Sequence, residues 1–525
     1  MVTNRGWIIL LAVEAATDPQ TSEVVRSVLS RFCPTTRTPC QFAGLLQEYD
    51  VVCLNRRSSL AGAVRFLRNS TRRSLFWTAI AALILSGLLF SRGELVMHAH
   101  AEDDAIPLSV PGCSSERLVT VDVANGDELQ RALNLHAGMN QCVRISTPSE
   151  LTCVVREDMV GDEKSIHGIL VPEGVRLDLN GATLCLDLRS NSYGVRLSSH
   201  SAICNGTIRI VGSEGKGSQS CWHSGISLGA AYGDGGTPEK LGRFSTVSHW
   251  AIENVTIDQP FAAAAIQLMS EACHGVIRNV RILDSAKALM GIGLDWGSVG
   301  PITTEDKELL RMRQLWEQGK IYSTHPHDVL IENVRIGKLL RNVDANDAGV
   351  RTSACHRITI RNIDIDTAAT AVMIVGGDLG YEFAREDQRD SAHAGYIVDG
   401  VRIENALRFG LVLNGLADNI WRSRLKHGYE AVRDPAHPGL DRMTISNVTL
   451  HGKDMLNSQG IYAVSLSDAT LDRIKISNFA IGVHVEDWVR GMRFQGSRII
   501  ENKRDILVEG ATEPAIDVVF ETPQL

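Results

Sequence analysis

Aromatic side chains are scarce in this chain, at 5% of 525 residues. A core assembled from large rings is excluded, and small aliphatic side chains must fill the interior instead. Eleven cysteines are present, but no Cys-x-x-Cys pair is among them, which excludes a zinc ribbon and a dithiol redox motif. Basic residues are not in excess. The net charge of −8 opposes the positive surface that phosphate contacts require, so a nucleic-acid partner is not expected. There is no phosphate loop, dinucleotide fingerprint or Ser-His-Asp order, which leaves nucleotide chemistry without support. Helical periodicity is missing from most of the chain.

What is present is globular in character: 44% hydrophobic and 22% charged residues, with 46 glycines. Frequent glycine suits a narrow core of stacked aliphatic side chains joined by many turns. One long apolar run, Leu75 to Phe90, carries no charge and follows Arg65, Arg68, Arg72 and Arg73. As a helix it would span about 24 Å, short of the roughly 30 Å hydrocarbon core. Ala99-His100-Ala101 then fits a small-x-small cleavage site. Residues 71–101 therefore read as a signal peptide, with a single-pass inner-membrane anchor through residues 75–90 as the rival. Thr71-Arg72-Arg73-Ser74-Leu75-Phe76 resembles a twin-arginine export motif. The protein is expected in the periplasm or outside the cell. Residues 1–70 form an unassigned extension without periodicity, and the biological start is expected downstream of Met1.

From about residue 160 a pattern recurs: Asn or Gly, apolar, polar, apolar. It reads Asn205-Gly206-Thr207-Ile208, Asn254-Val255-Thr256-Ile257, Asn279-Val280-Arg281-Ile282, Asn333-Val334-Arg335-Ile336, Asn362-Ile363-Asp364-Ile365 and Asn447-Val448-Thr449-Leu450. Alternation with period two, rich in Ile, Val and Thr, specifies strands. Several spacings lie near 25 residues or twice that, too short for a strand-helix-strand unit. Each turn of chain must then pair in parallel with the next, about 4.8 Å along an axis. The expected fold is all-β: a single-stranded right-handed parallel β-helix of about a dozen coils, with long loop insertions. Its exposed ends need capping. Residues 102–160 are assigned to an N-terminal cap, in which Asp127 to Leu133 reads as a short amphipathic helix, and 161–525 to the β-helix. The asparagine column reads as structural, its amides laddering between coils. Arg281, Arg335, Arg402 and Arg498 read as solvated surface. Cys113, Cys142 and Cys153 lie in the cap and are the expected bridge formers.

This repeat resembles the pectin-lyase-like superfamily of right-handed β-helices over about residues 105–520. The resemblance implies the fold and leaves activity open. Such a coil has little room inside, so a site must sit on its outside, walled by insertions. Four insertions stand out. Gly212 to Trp250 carries Trp222, His223, Tyr232 and Asp234. Gly293 to His327 carries Asp295, Trp296, Tyr322, His325 and His327, with a helical piece at 305–318. Gly376 to Ala394 carries Asp378, Tyr381, Glu382, Arg385, Asp387 and Asp390. Asp418 to His437 carries Trp421, Arg422, Arg424, Lys426, His427, Tyr429 and Asp434. Trp296, Tyr381, Trp421 and Tyr429 offer platforms for sugar rings. Arg385 and its neighbours suit uronate carboxylates. A polysaccharide partner is expected.

Tyr322-Ser323-Thr324-His325-Pro326-His327-Asp328 resembles the Tyr-x-x-Asp-Pro-His-Asp/Glu stretch of alginate carbon-5 epimerases, which are also β-helices. The resemblance implies proton-transfer roles for Tyr322 and His327; His325 stands where that family has its aspartate. Epimerases and lyases both remove the proton beside a uronate carboxylate. They need a base, a proton donor and a cation for the enolate-like intermediate. Tyr322, His325 and His327, with Arg422, Arg424 or Lys426, are the candidate catalytic set. No metal is required, although calcium could serve if Asp378, Glu382 and Asp387 cluster. A glycoside hydrolase needs two carboxylates, with Asp295, Asp378 and Glu382 as candidates, but the polygalacturonase motifs of the superfamily are absent. A non-catalytic polysaccharide-binding protein or adhesin is the third class. Mass spectrometry of the native precursor checks the start: no peptide from residues 1–50 is expected, and finding one would place the start at Met1.

Overall fold

The computed structural model describes residues 113–520, apart from 212–223, 230–245, 296–317, 377–393, 416–439, 510–517 and shorter gaps. The extension at 1–70 and the stretch 71–101, expected to be a signal peptide, lie outside the described residues. Among the described residues no helix is long and apolar enough to cross a membrane.

The fold is a right-handed parallel β-helix with one helix among the described elements. Each coil contributes a long strand and a short strand to two stacked faces. The long face runs through Ala202–Val211, Thr246–Asp258, Glu271–Arg278, His327–Lys338 and residues 356–367. The short face runs through Tyr193–Leu197, Ser224–Leu228, Ala264–Leu268, Met290–Leu294 and Ala348–Ser353. Pairing is parallel and in register. Ile203, Ile252, Ile277, Ile331, Ile360, Val398, Ile445, Leu471 and Phe494 therefore form one inward column, all buried. Burying one such aliphatic side chain stabilises by about 1.5–3 kcal/mol. Among the described residues the single antiparallel pairing is that of Arg156–Val160 with Glu163–Val171.

The asparagine column is an amide ladder. Asn254 Nδ2 donates to Asn205 Oδ1 at 3.1 Å, Asn279 to Asn254 at 3.0 Å, Asn333 to Asn279 at 3.2 Å and Asn362 to Asn333 at 3.2 Å. Every member has positive φ, between 54° and 59°, a conformation asparagine tolerates better than most residues. The arginines two residues beyond this column, such as Arg335, are exposed. Glycine does more than turn the chain. Gly225, Gly291 and Gly349 sit inside short strands, and a Cβ there would meet the carbonyl oxygen of the next coil at 2.7, 2.6 and 2.8 Å. At these rungs the coils approach too closely for a side chain.

Strand pairing begins at Leu118–Val121, inside the stretch assigned to the cap. The helix Gly126–Leu135 is inserted between the first rungs and covers them with Leu129 and Leu133, both fully buried. Asn125 caps it, its Oδ1 accepting from the N–H of Asp127 and Glu128 at 3.0 Å. Cys113 and Cys142 are joined in a disulfide, whereas Cys153 stays a buried thiol packed against Gly126. The first insertion is two segments, because the short strand Ser224–Leu228 divides it.

Replacing Asn279 separates the two contributions to the ladder. Asn279→Ala loses two amide bonds and strains a positive-φ position, and should cost about 2–3 kcal/mol. Asn279→Gly loses only the bonds and should cost about 1 kcal/mol. Urea unfolding of the purified variants checks the order; equal losses would remove the conformational part.

Candidate functional site

The corner where short strands end and long strands begin collects the ionisable side chains. In some coils this connection is minimal: Leu268 is followed by Met269, Ser270 at φ 56° and then Glu271. In others it carries an insertion. The segments 229–245, 295–326, 376–393 and 415–439 all leave from the end of a short strand and return at the start of a long one. Four excursions thus have their roots on one edge of the coil.

At that edge a second column stands five residues before the asparagines. It contains His200, His249, His274, Asp328 and Arg357, all at positive φ between 49° and 58°. The His200 and His249 rings stack at 4.9 Å with planes 5° apart, and His249 and His274 follow at 5.2 Å. His249 is pushed below the usual histidine range by burial and then by the neighbouring imidazoles, so the stack is held neutral at its centre. Beyond it the column changes to an anion and a cation. Arg357 Nε and Nη2 donate to the two oxygens of Asp328, each at 2.6 Å.

His327 sits beside this pair. The register places it between Cys273 and His356. Its Nδ1 meets Asp328 Oδ2 at 2.7 Å, and its Nε2 faces Glu271 Oε1 at 3.4 Å. Only 4% of its side chain is exposed. Burial alone would lower its pKa, but the side-chain bonds to Asp328, Cys273 and Glu271 outweigh burial and raise it far above 6.5. Asp328 is driven the other way, its burial overcome by the bonds from Arg357 and His327. His327 is therefore an imidazolium at neutral pH. Glu271 also accepts from Thr246 Oγ1 at 2.6 Å and from the Ser323 N–H at 3.1 Å. Ser323 Oγ in turn meets His356 Nε2 at 3.0 Å and accepts from the His325 N–H at 3.1 Å. Thus the 323–327 stretch is tied to the body of the coil through Glu271 and His356.

On the short-strand side of the corner, Arg351 Nη1 donates to Asp295 Oδ2 at 2.7 Å, both side chains largely buried. Cys355 adjoins them. Its thiol is pushed up by burial, against the backbone bond to Ser353, and donates to the Leu294 carbonyl at 3.9 Å. It is an inert thiol.

Of the residues singled out in the sequence, the corner brings together His325 and His327, with Asp295 across from them. Tyr322, Trp296, Asp378, Tyr381, Glu382, Arg385, Asp387, Trp421, Arg422, Arg424, Lys426 and Tyr429 lie outside the described residues, as do Trp222, His223, Tyr232 and Asp234. Glu271, Arg351, His356 and Arg357 were not legible as site residues. The histidine column was not singled out either, although it repeats with the spacings of the asparagines and could have been found from them. Cys273, His274 and His327 offer ligand atoms within 4.8 Å of one another, a soft-metal donor set. Both His327 nitrogens already face carboxylates, so a metal there would have to displace them.

The described elements and their corner define a right-handed parallel β-helix protein with a buried imidazolium-carboxylate centre. No protein-family profile and no curated protein matches the sequence. Solved structures of similar architecture include the A-module of the Azotobacter vinelandii mannuronan C-5 epimerase AlgE4, at 13% identity and TM-score 0.43, covering 76% of this chain and 92% of that one. The Streptococcus pneumoniae surface protein and adhesin PfbA matches at 13% identity and TM-score 0.43, covering 77% and 97%. The Dettilon tailspike protein matches at 10% identity and TM-score 0.43, covering 75% and 68%. These are likenesses of fold and of nothing finer.

The charge state of His327 has a defined pH window. Its raised pKa stabilises fully below the unfolded value of about 6.5 and fades as pH rises above it. The lowered pKa of Asp328 stabilises fully above its unfolded value of about 3.9 and fades as pH falls below it. The pair therefore contributes most between these two values. In an NMR titration His327 should keep its imidazolium signal to beyond about pH 8, and Asp328→Asn should bring its midpoint down by at least about one unit. A midpoint near 6.5 in the unmodified protein would refute the charge assignment.

Proposed function

We propose that this is an exported protein acting on an acidic, uronate-containing polysaccharide by proton-transfer chemistry of the lyase or carbon-5 epimerase type. The observation that carries the proposal is the buried His327, held between Asp328 and Glu271 at the edge from which the long insertions leave. A catalyst of either kind removes the proton next to a carboxylate and must stabilise the electron pair left behind. A histidine locked as a cation serves the second need and can return a proton; it is a poor base. The base is then assigned to Tyr322 or His325 and charge neutralisation to Arg422, Arg424 or Lys426. Stacking platforms would come from Trp296, Tyr381, Trp421 and Tyr429, with Arg385 beside them. The same scaffold type carries an epimerase module, tailspikes and an adhesin, which is consistent with a polysaccharide partner.

Hydrolysis is less favoured because Asp295 is already occupied by Arg351, which suits a fixed carboxylate better than a proton donor. The purified protein incubated with a panel of polyuronates decides among the readings. Absorbance near about 235 nm marks elimination, and solvent-deuterium uptake without scission marks epimerisation. Reducing ends without absorbance would mark hydrolysis instead. Retained glycan binding with none of the three would overturn the catalytic reading in favour of a binding protein. His325→Ala should lower turnover by about 10²-fold or more if it is the base.

A further inference from the structure

The last coils carry a second cluster, remote in sequence from the corner and unused by the chemistry above. His484 lies in the short strand Ile481–Val485, Glu486 just after it, and Glu509 just after the next short strand, Arg504–Val508. The Nε2 of His484 stands 3.3 Å from Glu509 Oε2 and 3.8 Å from Glu486 Oε1. The His484 side chain is 8% exposed, and its Nε2 is buried without a hydrogen-bond partner. Its other nitrogen is accounted for: Nδ1 lies 3.1 Å from Gln459 Oε1, on the preceding short strand. An amide oxygen only accepts, so Nδ1 carries a proton, and Nε2 is directed toward the two carboxylates. Two anions face this nitrogen, and their charge is balanced either by a proton on Nε2 or by a metal cation standing among the three groups.

Glu486 is oriented for the same purpose. Tyr462 donates its hydroxyl to Glu486 Oε2 at 2.9 Å, which leaves Oε1 as the oxygen facing His484. The Tyr462 and His484 rings meet edge to face at 5.5 Å, fixing both. The backbone N–H of Glu486 bonds Ala463 and that of Glu509 bonds Val485, each at 2.9 Å. One imidazole nitrogen and two carboxylate oxygens lie within 4.8 Å of one another. Zinc with bonds of about 2.0–2.2 Å spaces tetrahedral ligands about 3.4 Å apart, a separation bracketed by the two distances above. The outer partners, Gln459 on the imidazole and Tyr462 on the carboxylate, are those that orient first ligands in metal sites.

We propose that His484, Glu486 and Glu509 form a binding site for a divalent cation of the zinc class. An imidazole donor favours zinc over calcium, which takes oxygen ligands in larger number. Glu509 is 58% exposed, so the site opens outward and water completes the shell. The ion fastens the strand Arg504–Val508 onto Ile481–Val485, the last two paired short strands among the described residues.

The test uses the full chain, free of any affinity tag, stripped with chelator and titrated with Zn²⁺ by calorimetry, with metal content read by mass spectrometry. One equivalent is expected, together with a rise in melting temperature. His484→Ala and the surface change Glu509→Gln should each weaken binding about tenfold or more, whereas Tyr462→Phe should keep one equivalent at about tenfold lower affinity. Cys273→Ser should leave this equivalent unchanged. Absence of stoichiometric zinc, full binding by Glu509→Gln, or tighter binding of Ca²⁺ than of Zn²⁺ would overturn the proposal.

Discussion

Everything in this molecule follows from in-register parallel stacking. Each residue of a coil lies beside its counterpart in the coils before and after it, at the spacing of hydrogen-bonded strands, about 4.8 Å. A side chain is thus chosen less for its own surroundings than for what its two neighbours in the column can tolerate. Apolar columns satisfy this trivially, and the inward line from Ile203 to Phe494 is one. Amides satisfy it by being donor and acceptor at once, so Asn205, Asn254, Asn279, Asn333 and Asn362 pass hydrogen bonds along the axis. Glycines satisfy it where the backbones come closest, as at Gly225, Gly291 and Gly349.

Charge is the hard case, because like charges in adjacent rungs repel at short range. The corner column shows how the chain meets the constraint. His200, His249 and His274 stack as rings, with His249 kept neutral by its surroundings. Where the column must carry charge it alternates, Asp328 and then Arg357. His327, one residue earlier in the chain, lies close enough to Asp328 to be held as a cation. The charged state of His327 is therefore a consequence of the ladder: it is the third member of a stacked arrangement in which each ion is balanced by a neighbour in the same or the next coil. The cation proposed among His484, Glu486 and Glu509 would extend the same balance to the last described coils.

The strands, the asparagine ladder and the capping helix were legible because each follows from local pattern: period-two alternation, a residue type that tolerates positive φ, and an amphipathic turn. The corner was only half legible. His325 and His327 stood out through a short stretch of sequence, and the histidine column shares its spacing with the asparagines. Glu271, Arg351, His356 and Arg357 gave no signal of their own, since ordinary charged residues acquire a role only once register brings Glu271 beside His327 and Arg357 beside Asp328. Insertion lengths hid that register, because coils of unequal length place partners 29 or 56 residues apart. Cys153 illustrates the same limit. Its place in the cap suggested a bridge, whereas Cys113 and Cys142 were the pair brought together by the first two rungs.

Balanced charge at the corner also constrains what can bind there. Glu271 and Asp328 are paired with His327 and Arg357, and Asp295 is paired with Arg351. A uronate carboxylate arriving at this edge brings an additional negative charge that these groups, already paired, can meet only by giving up an existing partner. Breaking a buried pair costs several kcal/mol, more than one hydrogen bond to substrate returns. An acidic polymer therefore requires cations from outside the set, and the insertion rooted between Asn414 and Leu440 holds candidates in Arg422, Arg424 and Lys426. On this argument the coil supplies an internally neutralised platform, and the proposed reading assigns any preference for an anionic ligand to the insertions rooted at its edge.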